Sequence, residues 1–301
     1  MSAETALARA RAPVTLALVV AVVVNIAWGS TPVATRLAVE DVPPLMVAVL
    51  RTVIAGLVAV PILLGMRLRV PAAQRSRVLL GLSALTGFVA FPILYTLGQE
   101  RTSATHGALI LAALPVFTGA WAAVVDRRRP RTRWILGCAI ALAGEAAMIA
   151  SRAGSGTEPT FGGDLLILAS ATLVSAGYVA GALLSLAGYK SLATTLWGVA
   201  LGAVVMAPLG VGLVAADGAP SADAAAWGSI LFLAIMTSIV GYVGWYWALA
   251  RGGIARIATV QFIQPFSGLA LAALVLDERI TPELALPAAA VLAGVWIAQR
   301  R

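Results

Sequence analysis

At 301 residues, with 60% hydrophobic and only 11% charged side chains and a mean hydropathy of +0.95, the chain has too little polar surface to clothe a soluble domain. Its net charge of +8 does not describe a nucleic-acid binder, because the arginines sit at the ends of apolar runs and not on one amphipathic surface. The single cysteine, Cys138, excludes a disulfide framework and a cysteine metal site, and no cofactor motif is present.

A helix crosses a bilayer core with about 20 apolar residues, and this spacing predicts ten spans, at roughly 14–36, 44–65, 78–99, 103–125, 133–151, 164–187, 191–215, 226–250, 254–276 and 283–299. The first follows Arg9 and Arg11 as a secretory signal would. No small-residue cleavage site follows Asn25-Ile26-Ala27-Trp28, however, so it is expected to remain as a helix. Trp28-Gly29-Ser30-Thr31-Pro32 breaks this span, and Pro115 and Pro265 fall halfway along the fourth and ninth. A proline there removes a backbone hydrogen bond and bends the helix. Exposed backbone at membrane depth is tolerated only when buried in protein or lining a wet cavity, so Pro32, Pro115 and Pro265 point toward a central path. Better packing alone would also explain the kinks.

Shifting the chain by 150 residues superposes Tyr95, Arg101 and Pro115 on Trp245, Arg251 and Pro265. The glycine- and serine-rich stretch Ser151–Pro159 separates the copies, placing one five-helix repeat at 1–157 and the other at 158–301. With the N-terminus in the cytoplasm, sixteen of the twenty-one lysines and arginines fall inside; Arg36, Arg51, Arg101, Arg152 and Arg279 fall outside. Five crossings separate equivalent spans, so the repeats are expected to be inverted, an arrangement suited to alternating access. The fold class expected is all-α and integral to the membrane, with both termini cytoplasmic in a bacterial-type inner membrane.

Several spans carry residues suited to holding a small ligand. Ser238, Tyr242 and Trp245 are spaced i, i+4 and i+7 on the eighth span, against Tyr95 and Gln99 on the third. Gln261 and Gln264 bring amides into an otherwise apolar ninth span beside Pro265. With Trp28 and Tyr178 these form the predicted substrate-binding set, apolar and aromatic walls with a few fixed polar groups. Alternatives stand beside them: an interfacial aromatic belt for Trp245, Tyr246 and Trp247, with Trp247 the best fitted to it, and interhelical hydrogen bonding for the glutamines.

Three residues are candidates for handling charge. Arg51, two turns into the second span, costs about 2.5–3.5 kcal/mol to insert and needs a partner. Pairing with Glu145 of the fifth span supplies one structural reading. In the functional readings Arg51 or Arg36 draws in a substrate carboxylate, or Glu145 cycles a proton. His106, the one histidine, has the titration range of a proton switch, although at a helix start it also reads as a cap or packing residue.

Trp28-Gly29-Ser30-Thr31-Pro32-Val33-Ala34, the Pro43-Pro44 turn leading to Leu50-Arg51, and Thr102-Ser103-Ala104 before Pro115 resemble the EamA-type branch of the drug/metabolite transporter superfamily. The resemblance runs over residues 14 to 299 and implies a carrier that exports small metabolites, notably amino acids, through a cavity between the halves. Glu145 departs from the family pattern, which is usually apolar there.

No Gly-x-x-x-x-Gly-Lys-Ser/Thr loop is present and no nucleophile, base or metal constellation appears, so neither ATP hydrolysis nor another enzyme activity is expected. The function expected is secondary export of amino acids or similar small metabolites by a monomer or homodimer in the lipid bilayer. The cavity would be lined by spans one, three, four, six, eight and nine. Efflux of cationic drugs is the alternative and asks for an acidic residue in the cavity. A non-transporting receptor or scaffold is the third reading.

Overall fold

The computed structural model describes residues 3–127, 132–151, 160–253, 257–277 and 282–299; these are helices and their connections, with no strand among the described residues. Helices occupy every segment where a span is predicted. Seven are long and apolar enough to cross a membrane: Val14–Asp41, Pro44–Gly65, Gln74–Gln99, Ala104–Val125, Phe161–Leu186, Ser191–Asp217 and Ala224–Gly252. Three further apolar helices, at Thr132–Gly144, Ile263–Val275 and Ala285–Gly294, are shorter. The outer surface is correspondingly apolar, with Leu57, Leu64, Val204, Val211 and Leu274 each about 70–80% exposed, as expected of side chains that meet lipid.

The first span runs five residues beyond its predicted end and is broken into α1 (Ala3–Gly29) and α2 (Thr31–Asp41). Pro32 occupies the first turn of α2, where its missing N–H would have lacked a helical partner in any case. Ser30 joins the two pieces and donates its hydroxyl to Ala27 O at 2.6 Å. Gly29 is required here, because a Cβ would collide with Ser267 of the Ile263–Val275 helix.

The third and eighth spans contain segments the apolar periodicity does not reveal. Between α4 (Gln74–Ala84) and α5 (Phe91–Gln99) lies a π-helical stretch, Leu85–Ala90. Leu233–Gly241 interrupts the eighth span in the same way, between α11 (Ala224–Phe232) and α12 (Tyr242–Gly252). A π turn leaves carbonyls open to side chains. Phe88 O accepts from Thr52 Oγ1 at 3.1 Å, and Thr237 O from Trp28 Nε1 at 3.0 Å.

Pro115 and Pro265 each follow a 3-10 stretch. Leu111–Ala113 separates α6 (Ala104–Ile110) from α7 (Leu114–Asp126), and Ala258–Phe262 precedes the Ile263–Val275 helix. The physical reason is common to both, since a proline ring clashes with the carbonyl four residues earlier and the chain tightens before it.

The long α9 (Phe161–Leu186) lies against α4, α5 and α7, while α1 and α2 lie against α12 and α11. Next to them, α3 (Pro44–Gly65) pairs with α10 (Ser191–Asp217), and α8 (Thr132–Ser151) with the C-terminal helix Pro282–Gln299. Small residues set the last contact: a Cβ on Gly144 would lie 2.8 Å from Val291 N. Outside the spans, Tyr189 donates its hydroxyl to Arg69 O at 2.7 Å, and burial pushes its phenol up to about 12.

Candidate functional site

Trp28, on the last turn of α1, is the centre of an aromatic cluster. Its indole stacks on Tyr178 of α9 with centroids 5.4 Å apart and planes 11° from parallel. Tyr242 meets it edge-on at 5.4 Å, and Trp245 is tilted against it at 5.6 Å. Tyr242 also packs on Phe88 at 4.5 Å. Each such pair adds about 0.5–1.5 kcal/mol beyond its buried area. The Trp28 bond to Thr237 O holds the indole in place, and Gly241 gives it room, because a Cβ there would overlap the indole nitrogen.

Arg51 enters this cluster from α3 and is 2% exposed. Its Nη2 donates to Thr237 Oγ1 at 3.0 Å and to Ser238 Oγ at 3.4 Å. Both hydroxyls spend their own protons on Leu233 O, at 2.6 and 2.9 Å, which leaves their lone pairs to accept from the guanidinium. The guanidinium carbon also lies 5.8 Å from the centroid of the Phe91 ring. Nε and Nη1 are buried without a hydrogen-bond partner. A buried charge is stable only when its remaining donors are met, so half of this guanidinium is set to receive an acceptor.

Trp28, Arg51, Phe91, Tyr178, Tyr242 and Gln264 are among the residues lining a cavity of about 20 Å³, completed by Thr31, Leu111, Leu114 and Thr237. That is room for about one water molecule, so binding a larger molecule requires the helices around it to part. Gln264 Oε1 is a further buried atom without a partner on a residue of the cavity wall. Among the described residues of this lining, Arg51 is the one ionisable group other than tyrosine.

The structure therefore brings Trp28, Tyr178, Tyr242 and Gln264 together, with Arg51 adding the second span to the six expected to line a cavity. Ser238 touches the cavity through Arg51. Ser238 lies within the π-helical stretch Leu233–Gly241, and Tyr242 is the first residue of α12 after it. Trp245 is fully buried behind Trp28 and Tyr178, at 5.6 and 6.0 Å, with Nε1 lacking a partner. Its burial, and that of Tyr246, differs from an interfacial belt, whereas half-buried Trp247 lies 5.4 Å from the Arg251 guanidinium.

Tyr95 and Gln99 lie outside the cavity lining. The Tyr95 hydroxyl donates to Gln99 Oε1 at 3.0 Å, and Gln99 Nε2 donates to Thr102 O at 3.3 Å, so their polar atoms are committed to holding the turn before α6. Gln261 is 1% exposed, with neither amide atom partnered, and is not part of the lining. Glu145 lies on α8, but its side chain is outside the described residues, so its pairing with Arg51 is not described.

His106 is neither solvated nor a cap. It is completely buried, with Nδ1 3.3 Å from Oδ2 of Asp164, whose Oδ1 accepts from Thr102 Oγ1 at 2.7 Å. Ser103 caps the helix instead, its hydroxyl oxygen accepting from His106 N at 3.1 Å. Asp164 had one sequence signal, an acid within an apolar span. Thr31 lay in the break at Trp28–Pro32, but Phe91 and Thr237 had no signal, because nothing in their spacing separates them from ordinary helix-packing residues.

The EamA-like transporter family model matches residues 15–150 and again 161–299. Among curated relatives, the uncharacterized transporter YdeK of Bacillus subtilis is 34% identical over 90% of this chain and 92% of its own. A probable terminal-alkyne amino-acid exporter of Streptantibioticus cattleyicolor is 30% identical over 92% and 91%. A probable amino-acid metabolite efflux pump of Escherichia coli is 28% identical over 93% of both. A crystal structure 19% identical to the chain superposes with a TM-score of 0.65 over 94% of this chain and 97% of that one, which is a likeness of fold. The chain belongs to the EamA-like transporter family of the drug/metabolite transporter superfamily, and is a multi-pass membrane transporter of a small molecule.

Proposed function

We propose that this transporter exports amino acids or closely similar zwitterionic metabolites, and that Arg51 takes the substrate carboxylate. The observation that carries this is the buried guanidinium whose Nε and Nη1 have no partner at the wall of the aromatic cavity. These two nitrogens flank the bonded Nη2 on opposite sides, and their three N–H groups remain to give charge-assisted hydrogen bonds to a carboxylate. Gln264 Oε1 and the faces of Trp28, Tyr178 and Tyr242 would take the ammonium group. The names of the Streptantibioticus and Escherichia relatives point to the same substrate class. A cationic drug would find an arginine where it needs an acid, so the lining supports the amino-acid reading over multidrug efflux.

In this reading the seven membrane-length helices and the three shorter ones make ten crossings of the inner membrane, with both termini cytoplasmic. Residues 1–157 and 158–301 form two inverted repeats that rock about the cavity to open it to each side in turn. Paired features at the repeat offset support this: two π stretches, two 3-10 stretches before matching prolines, and helix pairings that recur between the halves. Asp223 N donating to Asp41 Oδ2 at 2.9 Å, and Tyr189 donating to Arg69 O, tie equivalent loops at the two ends.

Proteoliposomes preloaded with labelled amino acids test the proposal. Efflux that is lost in Arg51→Gln supports it. Flux of a cationic drug with none for any amino acid would replace it with the multidrug reading, and no flux of either would favour a receptor or scaffold.

A further inference from the structure

We propose that Asn25, Trp245 and Gln261 form a second, uncharged binding station for the transported zwitterion, one helical turn from the aromatic cavity on the side away from Arg51. The station rests on the amino-acid reading above and gives the substrate a place to be held before Arg51 takes its carboxylate.

Each of the three residues extends the cavity wall along its own element. Asn25 precedes Trp28 by three residues, Trp245 follows Tyr242 by three, and Gln261 precedes Gln264 by three, and residues at this interval share a helical face. They also stand at one level. A Cβ on Gly241 would meet the Trp28 indole and one on Gly244 would lie 2.8 Å from Val24 Cγ2, which sets Trp245 beside Asn25 along α1. A Cβ on Gly29 would lie 2.6 Å from Gln264 O, and one on Gly252 would meet both Ala17 and Ile257. The chain from Ile257 to Gln264 therefore runs in the same direction as α1, with Gln261 level with Asn25. Arg51 is at the opposite end, because its partners Thr237 and Ser238 precede Tyr242 whereas Trp245 follows it.

Asn25 and Trp245 have no exposure and Gln261 has 1%. Among the described residues, Asn25 Oδ1, Trp245 Nε1 and both amide atoms of Gln261 are nevertheless without a hydrogen-bond partner. Buried polar atoms are as a rule paired, so four orphans at one level of three neighbouring elements mark a place that a polar molecule fills. Asn25 Nδ2 donates to Ala21 O at 2.7 Å, which fixes Oδ1 as the free atom of that side chain. Two acceptors, Asn25 Oδ1 and the Gln261 amide oxygen, thus stand with two donors, the Trp245 N–H and the Gln261 amide nitrogen. Equal numbers of each suit an ammonium and a carboxylate carried on one small molecule. A carboxylate on uncharged donors is held less tightly than one on a guanidinium, so the station releases the molecule toward Arg51.

The corresponding positions of the other repeat are satisfied. At the 150-residue offset Asn25, Trp245 and Gln261 fall on Ser175, Tyr95 and Leu111. Ser175 Oγ donates to Leu114 O at 3.4 Å, the Tyr95 hydroxyl donates to Gln99 Oε1 at 3.0 Å, and Leu111 is apolar. The orphan atoms are therefore not a requirement of the scaffold. In the orientation proposed above they lie toward the cytoplasm, where an exported molecule enters, and the satisfied positions lie toward the exit.

The experiment measures equilibrium binding of a labelled amino acid to the full-length protein in detergent, for the parent, Arg51→Met and Gln261→Leu. Binding by the parent is expected in two phases, the second at least about tenfold weaker than the first, the size of losing one charge-assisted bond. Arg51→Met is expected to lose the tight phase and Gln261→Leu the weak one. The leucine variant removes two unpaired buried atoms and is expected to keep or raise the melting midpoint. Trp245→Phe, which keeps a ring and removes the N–H, repeats the test if that variant does not fold. A single phase in the parent overturns the second station and leaves the export reading standing. Two phases that neither Gln261→Leu nor Trp245→Phe alters assign the orphan atoms to packing or to water, and overturn the station as well. A parent that binds no amino acid overturns the export reading and the station together.

Discussion

Trp28 and Tyr178 stand 150 positions apart in the chain, the offset at which the two halves match, and their rings stack on each other at 5.4 Å and 11°. The pair lies at the cavity wall, where the proposed repeats meet. Trp28→Phe keeps a ring for Tyr178 but removes the donor to Thr237 O, leaving a buried carbonyl unpaired at a cost of about 1–3 kcal/mol. The expected outcome in a thermal-shift measurement is a lower melting midpoint than the parent, and a lower one still for Trp28→Ala, which adds a cavity worth about 3–5 kcal/mol.

Arg51 separates folding from transport. Arg51→Met removes the buried charge together with its desolvation cost, so stability is expected to stay within about 1–2 kcal/mol of the parent or to rise. Efflux of a labelled amino acid is expected to fall by at least about tenfold, the size of losing one charge-assisted bond. Arg51→Lys keeps the charge without the planar fork and is expected to fall nearly as far. Normal efflux in a well-folded Arg51→Met would remove the carboxylate site.

The 3-10 stretches before Pro115 and Pro265 are expected to bend as the cavity opens. Replacing either proline with alanine restores a backbone donor and lets the chain relax toward straight α-helix. Turnover in counterflow is expected to drop severalfold in each variant while substrate affinity changes little. An affinity loss with unchanged turnover would mean that the prolines shape the site and not the motion.

Gly144 faces backbone, not a flexible side chain, so Gly144→Ala forces α8 and the C-terminal helix apart. The expected cost is about 1–3 kcal/mol, read as a lower melting midpoint, because overpacking at a helix contact is relieved only by moving the helices. Gly81, with open space around it, is the control, and alanine there is expected to be neutral or stabilising.

Tyr189 gives a pH signature at the alkaline end. Its phenol is raised from 10 to about 12 and donates to Arg69 O as the neutral form. Its contribution to stability is therefore complete below pH 10 and is lost as the pH rises through about 12. The difference in melting midpoint between parent and Tyr189→Phe is expected to shrink over that interval.

The membrane fold was open to reading from the chain because its causes are local. Apolar runs, span ends marked by arginine and the prolines Pro32, Pro115 and Pro265 each act through their own backbone or their own transfer into lipid, and the helix limits at Pro44–Gly65 and Ser191–Asp217 follow from them. The repeat offset marked Tyr95 and Trp245, and polarity within apolar spans marked Gln99 and Gln261, but neither says which way a side chain turns. Tyr95 and Gln99 satisfy each other away from the cavity, and Ser238 reaches it only through Arg51.

What the sequence determined by itself is the solvent each segment prefers and where each helix must break, since composition and proline chemistry decide both one residue at a time. Only the tertiary structure decided that Arg51 bonds Thr237 through Nη2 and leaves Nε and Nη1 unpartnered, and that His106 meets Asp164. Those pairs join residues 186 and 58 positions apart, and their energies depend on burial that exists only once the helices have packed.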